Sequence, residues 1–330
     1  TWRDIKTFGE YAYGISEASV GLQVFDLSDI DNGNVTYVGA VTSGGSSSTH
    51  NVAINEDSGY LYRLGGGSGT NLGLRIYDLN ANPANPPLVK QYNSFYIHDA
   101  QIVSYTSGPF AGREIAFCCS GFNGGGQDTR LRIVDVTNKN SIFLVSSVAY
   151  GGREYCHQGW LSEDRQYFYL NDELDELDGS STTTNTRIID VSDIENPFEA
   201  ASFSTGLPSI DHNLYTHNGM IFETNHTSGL RVFDSSNPLS PVELAWLDTY
   251  PSSDGTSFNG AWSNYPYLPS GNIIISDIQQ GLIIARLVID RIEFSLHQGL
   301  PQPVDPDGCT NLHVQMIEAG LEHDPETLRL

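Results

Sequence analysis

Positive charge is what this sequence has least of. Lysine and arginine total 16 against 40 aspartates and glutamates, a formal net charge of -24 over 330 residues. A surface so biased repels phosphate backbones and anionic lipid headgroups, which excludes nucleic acid and acidic membranes as partners. It leaves room for bound cations, for cold or salty surroundings, or for a heavily solvated exterior. No run of 18 apolar residues occurs, so no transmembrane segment is expected. Cysteine is scarce, four residues in all, and none form a CxxC pair. The sequences G-x-S-x-G, H-E-x-x-H and the phosphate-binding loop are also missing, which removes the common hydrolase, zinc-protease and nucleotide-binding signatures. The chain opens at Thr1 without methionine or a leader-like apolar stretch, as expected of an exported protein after processing. In that setting a Cys119–Cys156 disulfide is expected.

What the sequence does have is repetition. "GLQVFDLSDIDNG" from Gly21 returns as "GLRIYDLNANPANPP" from Gly73, "RLRIVDVTNKN" from Arg130, "TRIIDVSDIENP" from Thr186 and "GLRVFDSSNPLSP" from Gly229. "GLIIARLV" from Gly281 keeps the strand and loses the aspartate. The aspartates Asp26, Asp78, Asp135, Asp190 and Asp234 recur at intervals of 52, 57, 55 and 44 residues. A β-rich period near 50 residues predicts a propeller or solenoid. Each copy reads as an alternating β-branched or aromatic strand closed by an Asp turn, where the carboxylate bonds its own backbone two residues on. A strand–turn–strand element precedes each copy, from Arg3, His50, His98, His157, His212 and Asn259. Six such units predict an all-β chain: a six-bladed β-propeller over residues 1–288, with seven blades the alternative. Residues 289–330 are expected to form an irregular extension with a short helix.

Equivalent positions in a propeller lie on a circle, so His50, His98, His157 and His212, with Arg3 and Asn259, are expected to converge on the central channel. Imidazoles there suit copper, zinc or iron, with Asp4 or Asp99 as further ligands or as groups that orient the rings. The bland alternative is a polar plug bonded to backbone and water. A second cluster is "NDELDELDGSS" from Asn171, with Asp172, Glu173, Asp175, Glu176 and Asp178. Together with Glu17, Glu223 and His226 at related positions, these carboxylates predict an acidic patch able to hold calcium.

The segments "GLRIYDL", "RLRIVDV" and "TRIIDVSDIENP" resemble the LVIVD-repeat propellers. The order "WRDIK", "STHNVAIN", "HDAQIV", "CHQGWLSED", "LNDELDE" and "DHNLYTHNG" is similar to the choice-of-anchor B branch of bacterial surface proteins. The resemblance covers residues 1–288 and implies an exported propeller, often tethered to the cell surface by a variable C-terminal device; it carries no activity. The histidines also give a fold-level likeness to selenium-binding-type propellers, which look like histidine-coordinated metal oxidases. The function expected from the whole is a secreted or cell-surface binding or scaffold module, metal-stabilised, with an extracellular protein or glycan as partner. The alternative is a metal-dependent oxidase or hydrolase working in the channel.

Overall fold

The computed structural model describes residues 3–45, 48–66, 73–121 and 128–288. The first blade is β1 (Arg3–Phe8), β2 (Tyr11–Ser16), β3 (Leu22–Asp26) and β4 (Thr36–Val41). The second is β5 (Asn51–Asn55), β6 (Tyr60–Leu64), β7 (Leu74–Asp78) and β8 (Leu88–Tyr92). The third is β9 (Asp99–Ser104), β10 (Glu114–Ser120), β11 (Arg130–Asp135) and β12 (Phe143–Val148). The fourth is β13 (Cys156–Leu161), β14 (Tyr167–Asp172), β15 (Thr186–Asp190) and β16 (Phe198–Phe203), with a single-turn helix α1 (Asp175–Asp178) after β14. The fifth is β17 (Asn213–His217), β18 (Met220–Asn225), β19 (Gly229–Asp234) and β20 (Val242–Leu247). The sixth has three strands, β21 (Ala261–Tyr265), β22 (Asn272–Asp277) and β23 (Gly281–Arg286). All pairings within the blades are antiparallel between chain neighbours. The molecule is a six-bladed β-propeller, and the expected extension over 289–330 lies outside the described residues.

The repeated sentence of the sequence does what its chemistry dictates. Asp26, Asp78, Asp135, Asp190 and Asp234 each accept a hydrogen bond from the backbone N–H two residues on, at 2.8 to 2.9 Å. The turn aspartates are therefore structural. In the five four-stranded blades the third and fourth strands are joined across a register shift, which adds twist to the outer edge.

The core lies between the sheets. Successive residues of a strand face opposite sides, so one strand serves two neighbours. On β10, Ile115, Phe117 and Cys119 pack against Leu161 and Phe168 of the fourth blade. Ala116 and Cys118, between them, pack against Tyr62 and Ile76 of the second. The same logic joins Tyr13 and Val24 to Leu61 and Tyr77, and Tyr169 and Ile188 to Leu214 and Phe233. Each such large side chain, fully buried, contributes about 1.5–3 kcal/mol. The alternation also settles the cysteines. Cys119 shares a core with Cys156, so the pair expected to form a disulfide does meet, but as buried free thiols.

Candidate metal centre in the channel

The innermost strands β1, β5, β9, β13, β17 and β21 surround the channel, and a cavity of about 470 Å³ opens there. Its wall includes His50, His98, His157 and His212, as the repeat spacing predicts. The four imidazoles form a continuous row, with ring centroids 4.0 Å apart from His50 to His98, 4.4 Å from His98 to His157 and 4.2 Å from His157 to His212. His226 extends the row at 4.5 Å from His212.

The rings are held by the backbone of the next blade. Nδ1 of His98 lies 3.2 Å from the carbonyl oxygen of His157, Nδ1 of His157 3.1 Å from that of His212, and Nδ1 of His212 2.6 Å from that of Trp262. A carbonyl only accepts, so Nδ1 of His98 and of His157 carries the proton and their Nε2 is left with its lone pair free for a ligand; Nδ1 of His212 also lies 2.8 Å from the amide nitrogen of Asn213. Burial drives His98 and His157 well below the ordinary imidazole pKa, and it drives His226 down to about 2. These rings are neutral, the form that binds metal.

Trp262, not Asn259, takes the sixth place in this ring. Ala261 and Ser263 face successive partners on β22 across a bulge, just as Cys156 and Gln158 do on β14. The skipped residue is His157 in one blade and Trp262 in the other. Asn259 instead donates to Ser257 and accepts from Gln279. Asp4 and Asp99 line the cavity without orienting the rings, a task the carbonyls perform. Asp4 accepts from Lys6 at 2.7 Å. Asp99 accepts from the N–H of Ala100 at 2.6 Å, and burial raises its carboxyl to about 7 against the pull of Lys6.

The expected acidic patch divides. Asp172 accepts from the Tyr150 hydroxyl and from the N–H groups of Glu154 and Tyr155. Asp175 pairs with Arg187, and Glu223 accepts from Asn171 and Thr186. Three members go to the histidines instead. Glu17 lies 2.7 Å from Nδ1 of His50. Glu173 stands between two rings, its oxygens 3.7 Å from Nε2 of His157 and 3.4 Å from Nε2 of His212. Burial opposes charge on Glu173, and the two Nε2 atoms are its nearest polar neighbours among the histidines.

His226 is the third. It follows β18 at the position Glu173 takes after β14, since Asn225 and Asp172 end the equivalent strands. Its φ of 22° is unusual for a residue with a side chain, the kind of strained backbone found where a side chain is aimed for a purpose. Its carbonyl anchors the bend by accepting from Ala261 at 2.9 Å. Neither of its ring nitrogens, nor Nε2 of His212, has a hydrogen-bond partner. Two ligand sets result, His98 with His157 and Glu173, and His212 with His226 and Glu173; within each, the donor atoms lie within 4.8 Å of one another.

A family model described as the LVIVD repeat matches residues 125–149. The chain is a β-propeller that carries an LVIVD repeat. Among solved structures, this LVIVD-repeat propeller is similar to the periplasmic gluconolactonase PpgL of Pseudomonas aeruginosa, with a TM-score of 0.60 and 14% identity over 90% of this chain and 86% of that one. A protein from Lactobacillus plantarum gives a TM-score of 0.56 and 12% identity, covering 82% and 75%. The hydrazine synthase of Kuenenia stuttgartiensis gives 0.54 and 12%, covering 83% and 72%. At these identities the likeness is one of fold. A comparison with curated proteins finds no match. Among the described residues, no helix is long and apolar enough to cross a membrane.

Proposed function

We propose that this propeller binds a transition-metal ion where Glu173 meets the histidine row, and acts as a metal-dependent enzyme on a small molecule held in the adjoining cavity. The observation that carries the reading is Glu173, shared by two sets of two histidines and one carboxylate. Imidazole with carboxylate suits iron, zinc or copper, and a two-histidine, one-carboxylate set leaves coordination positions open. Open positions separate a reactive centre from a structural one. A bound water or substrate oxygen would occupy them, for hydrolase or oxidase chemistry. The cavity of about 470 Å³ is within the range of small-molecule sites. The acidic composition and the likeness to choice-of-anchor B surface proteins support a secreted or cell-surface location.

Elemental analysis of protein purified without a histidine tag tests the reading. Near one equivalent of iron, zinc or copper per chain is expected, lost in Glu173→Gln and His226→Ala. A wild-type chain that takes up none of these ions on titration overturns it.

One observation favours a second role beside this one. The outer strand β20 turns Val242, Leu244 and Trp246 to solvent, Trp246 at 64% exposure. An exposed apolar row ending in a tryptophan on a sheet edge suits an extracellular protein or glycan. Binding on a glycan or surface-extract array that vanishes with Trp246→Ala supports this platform role, and silence of the wild type across both arrays rejects it.

A further inference from the structure

A second cluster of metal-ligating groups shares no residue with the two histidine sets, and no nitrogen enters it. Helix α1 places Asp175 and Glu176 inside the protein, 0% and 6% exposed, beside Asp211 at 0%. Oxygen atoms of the three lie within 4.8 Å of one another. Asp175 Oδ2 accepts from Arg187 at 2.7 Å, and Asp211 Oδ2 accepts from the N–H of Asn185 at 2.8 Å. The remaining four oxygens, Asp175 Oδ1, Asp211 Oδ1 and both of Glu176, have no hydrogen-bond partner.

The charges do not balance. Among the described residues one cation, Arg187, is paired with the cluster, and its other hydrogen bonds go to the carbonyls of Asn185 and Gly151. Three carboxyl groups face one guanidinium, so without a second cation two of them stay charge-free only by holding their protons. Buried charge is tolerated only when paired or bound to metal. Burial, with Asp211 and Asp175 alongside, pushes the Glu176 carboxyl far up, the response of a carboxylate lacking a counterion.

We infer that Asp175, Glu176 and Asp211 form a closed site for one divalent hard cation, and that the cation is calcium. The donors are all oxygen, which selects hard ions over those that favour imidazole. Calcium–oxygen distances of about 2.3–2.6 Å put oxygens on opposite sides of one ion roughly 4.6–5.2 Å apart, which accommodates this set. Magnesium demands near-ideal octahedral geometry at short distances, whereas calcium accepts irregular sets of six to eight oxygens, so four carboxylate oxygens with carbonyls or water completing the shell suit calcium. A divalent ion would take the place of the two protons and balance the carboxylates it exposes. The site also has a purpose in the fold. Asp175 is two residues after Glu173, and Asp211 immediately precedes His212. The ion staples the loop after β14 to the entry of β17, and so fixes the spacing of Glu173 and His212 from outside their own contact.

The experiment is calcium titration of the chelator-stripped full chain by calorimetry and thermal melting. One equivalent is expected to bind, with a melting temperature about 5 °C higher at a hundredfold excess over Kd. Glu176→Gln, which keeps the shape of a protonated glutamate, is expected to weaken calcium at least tenfold. A wild type showing neither heat nor shift at millimolar calcium overturns the site, as does a Glu176→Gln chain that binds equally well. A shift from magnesium equal to that from calcium overturns the choice of ion. His226→Ala separates this site from the channel centre: unchanged calcium affinity is expected, and abolished affinity would place the ion at the histidines and overturn the assignment.

Discussion

Nδ1 of His157 lies 3.1 Å from the carbonyl oxygen of His212, a residue of the next blade. This contact fixes the tautomer of an imidazole whose other nitrogen faces Glu173. Nitrogen-15 spectra of histidine-labelled, metal-stripped protein should show His98 and His157 protonated at Nδ1 and bare at Nε2. His98 and His157 should stay neutral well below pH 6, because burial lowers both. Protonation at Nε2, or titration of these two near pH 6.5, would contradict the arrangement.

Glu114 is the anchor of a buried polar network between the second and third blades. It accepts from Lys139, from the Tyr62 hydroxyl at 2.6 Å and from Asn55 at 2.9 Å. Removing one partner of a buried pair strands the other. Lys139→Met should cost about 3–5 kcal/mol in denaturant unfolding, and the double change Lys139→Met with Glu114→Gln should recover part of that loss. A single change costing under about 1 kcal/mol would show that water reaches the pair.

Glu223 sets a pH dependence of stability. Burial raises its carboxyl to about 7, with hydrogen bonds from Thr186 and Asn171 pulling down. Its folded pKa exceeds the unfolded value of 4.5, so between those limits the folded chain holds a proton that the unfolded chain has lost. The contribution is fully present below pH 4.5 and lost as pH rises through 7. Its slope is roughly 1.4 kcal/mol per unit. Glu223→Gln should remove this part of the slope and raise stability at pH 8 relative to wild type. A pH profile unchanged by the substitution counts against it.

The turn aspartates should behave as local braces. Asp190 accepts from both the N–H and the hydroxyl of Ser192. Asp190→Ala should cost about 1 kcal/mol, with Asp190→Asn costing less than half of that. Metal content should not change. Loss of bound metal in Asp190→Ala would mean that the turns do more than hold the blades.

The blade plan was legible because each unit spells a strand, an aspartate and a turn, and local chemistry alone forces that conformation. His50, His98, His157 and His212 were legible because repeat-equivalent positions converge. Asn259 was misplaced because a bulge at Trp262 breaks the count, and no spacing reveals a bulge. Glu173 and His226 were visible as residues just past equivalent strands. The density of charge around residue 175 drew them into an acidic patch instead. Asp211 stands apart from the 172–178 run in sequence, and only packing of the fourth blade against the fifth brings it to Asp175.

The row of imidazoles is suspended from its neighbours. Each of His98, His157 and His212 takes its direction from a carbonyl in the adjoining blade. The aim of a ligand at the hub therefore depends on the angle between two sheets, and that angle is held by side chains such as Phe117 and Phe168 out along the spokes. Trimming one of those side chains lets two blades settle together, and the imidazole bridging them turns with the settlement. The centre thus inherits its tolerance from the stiffness of the whole wheel.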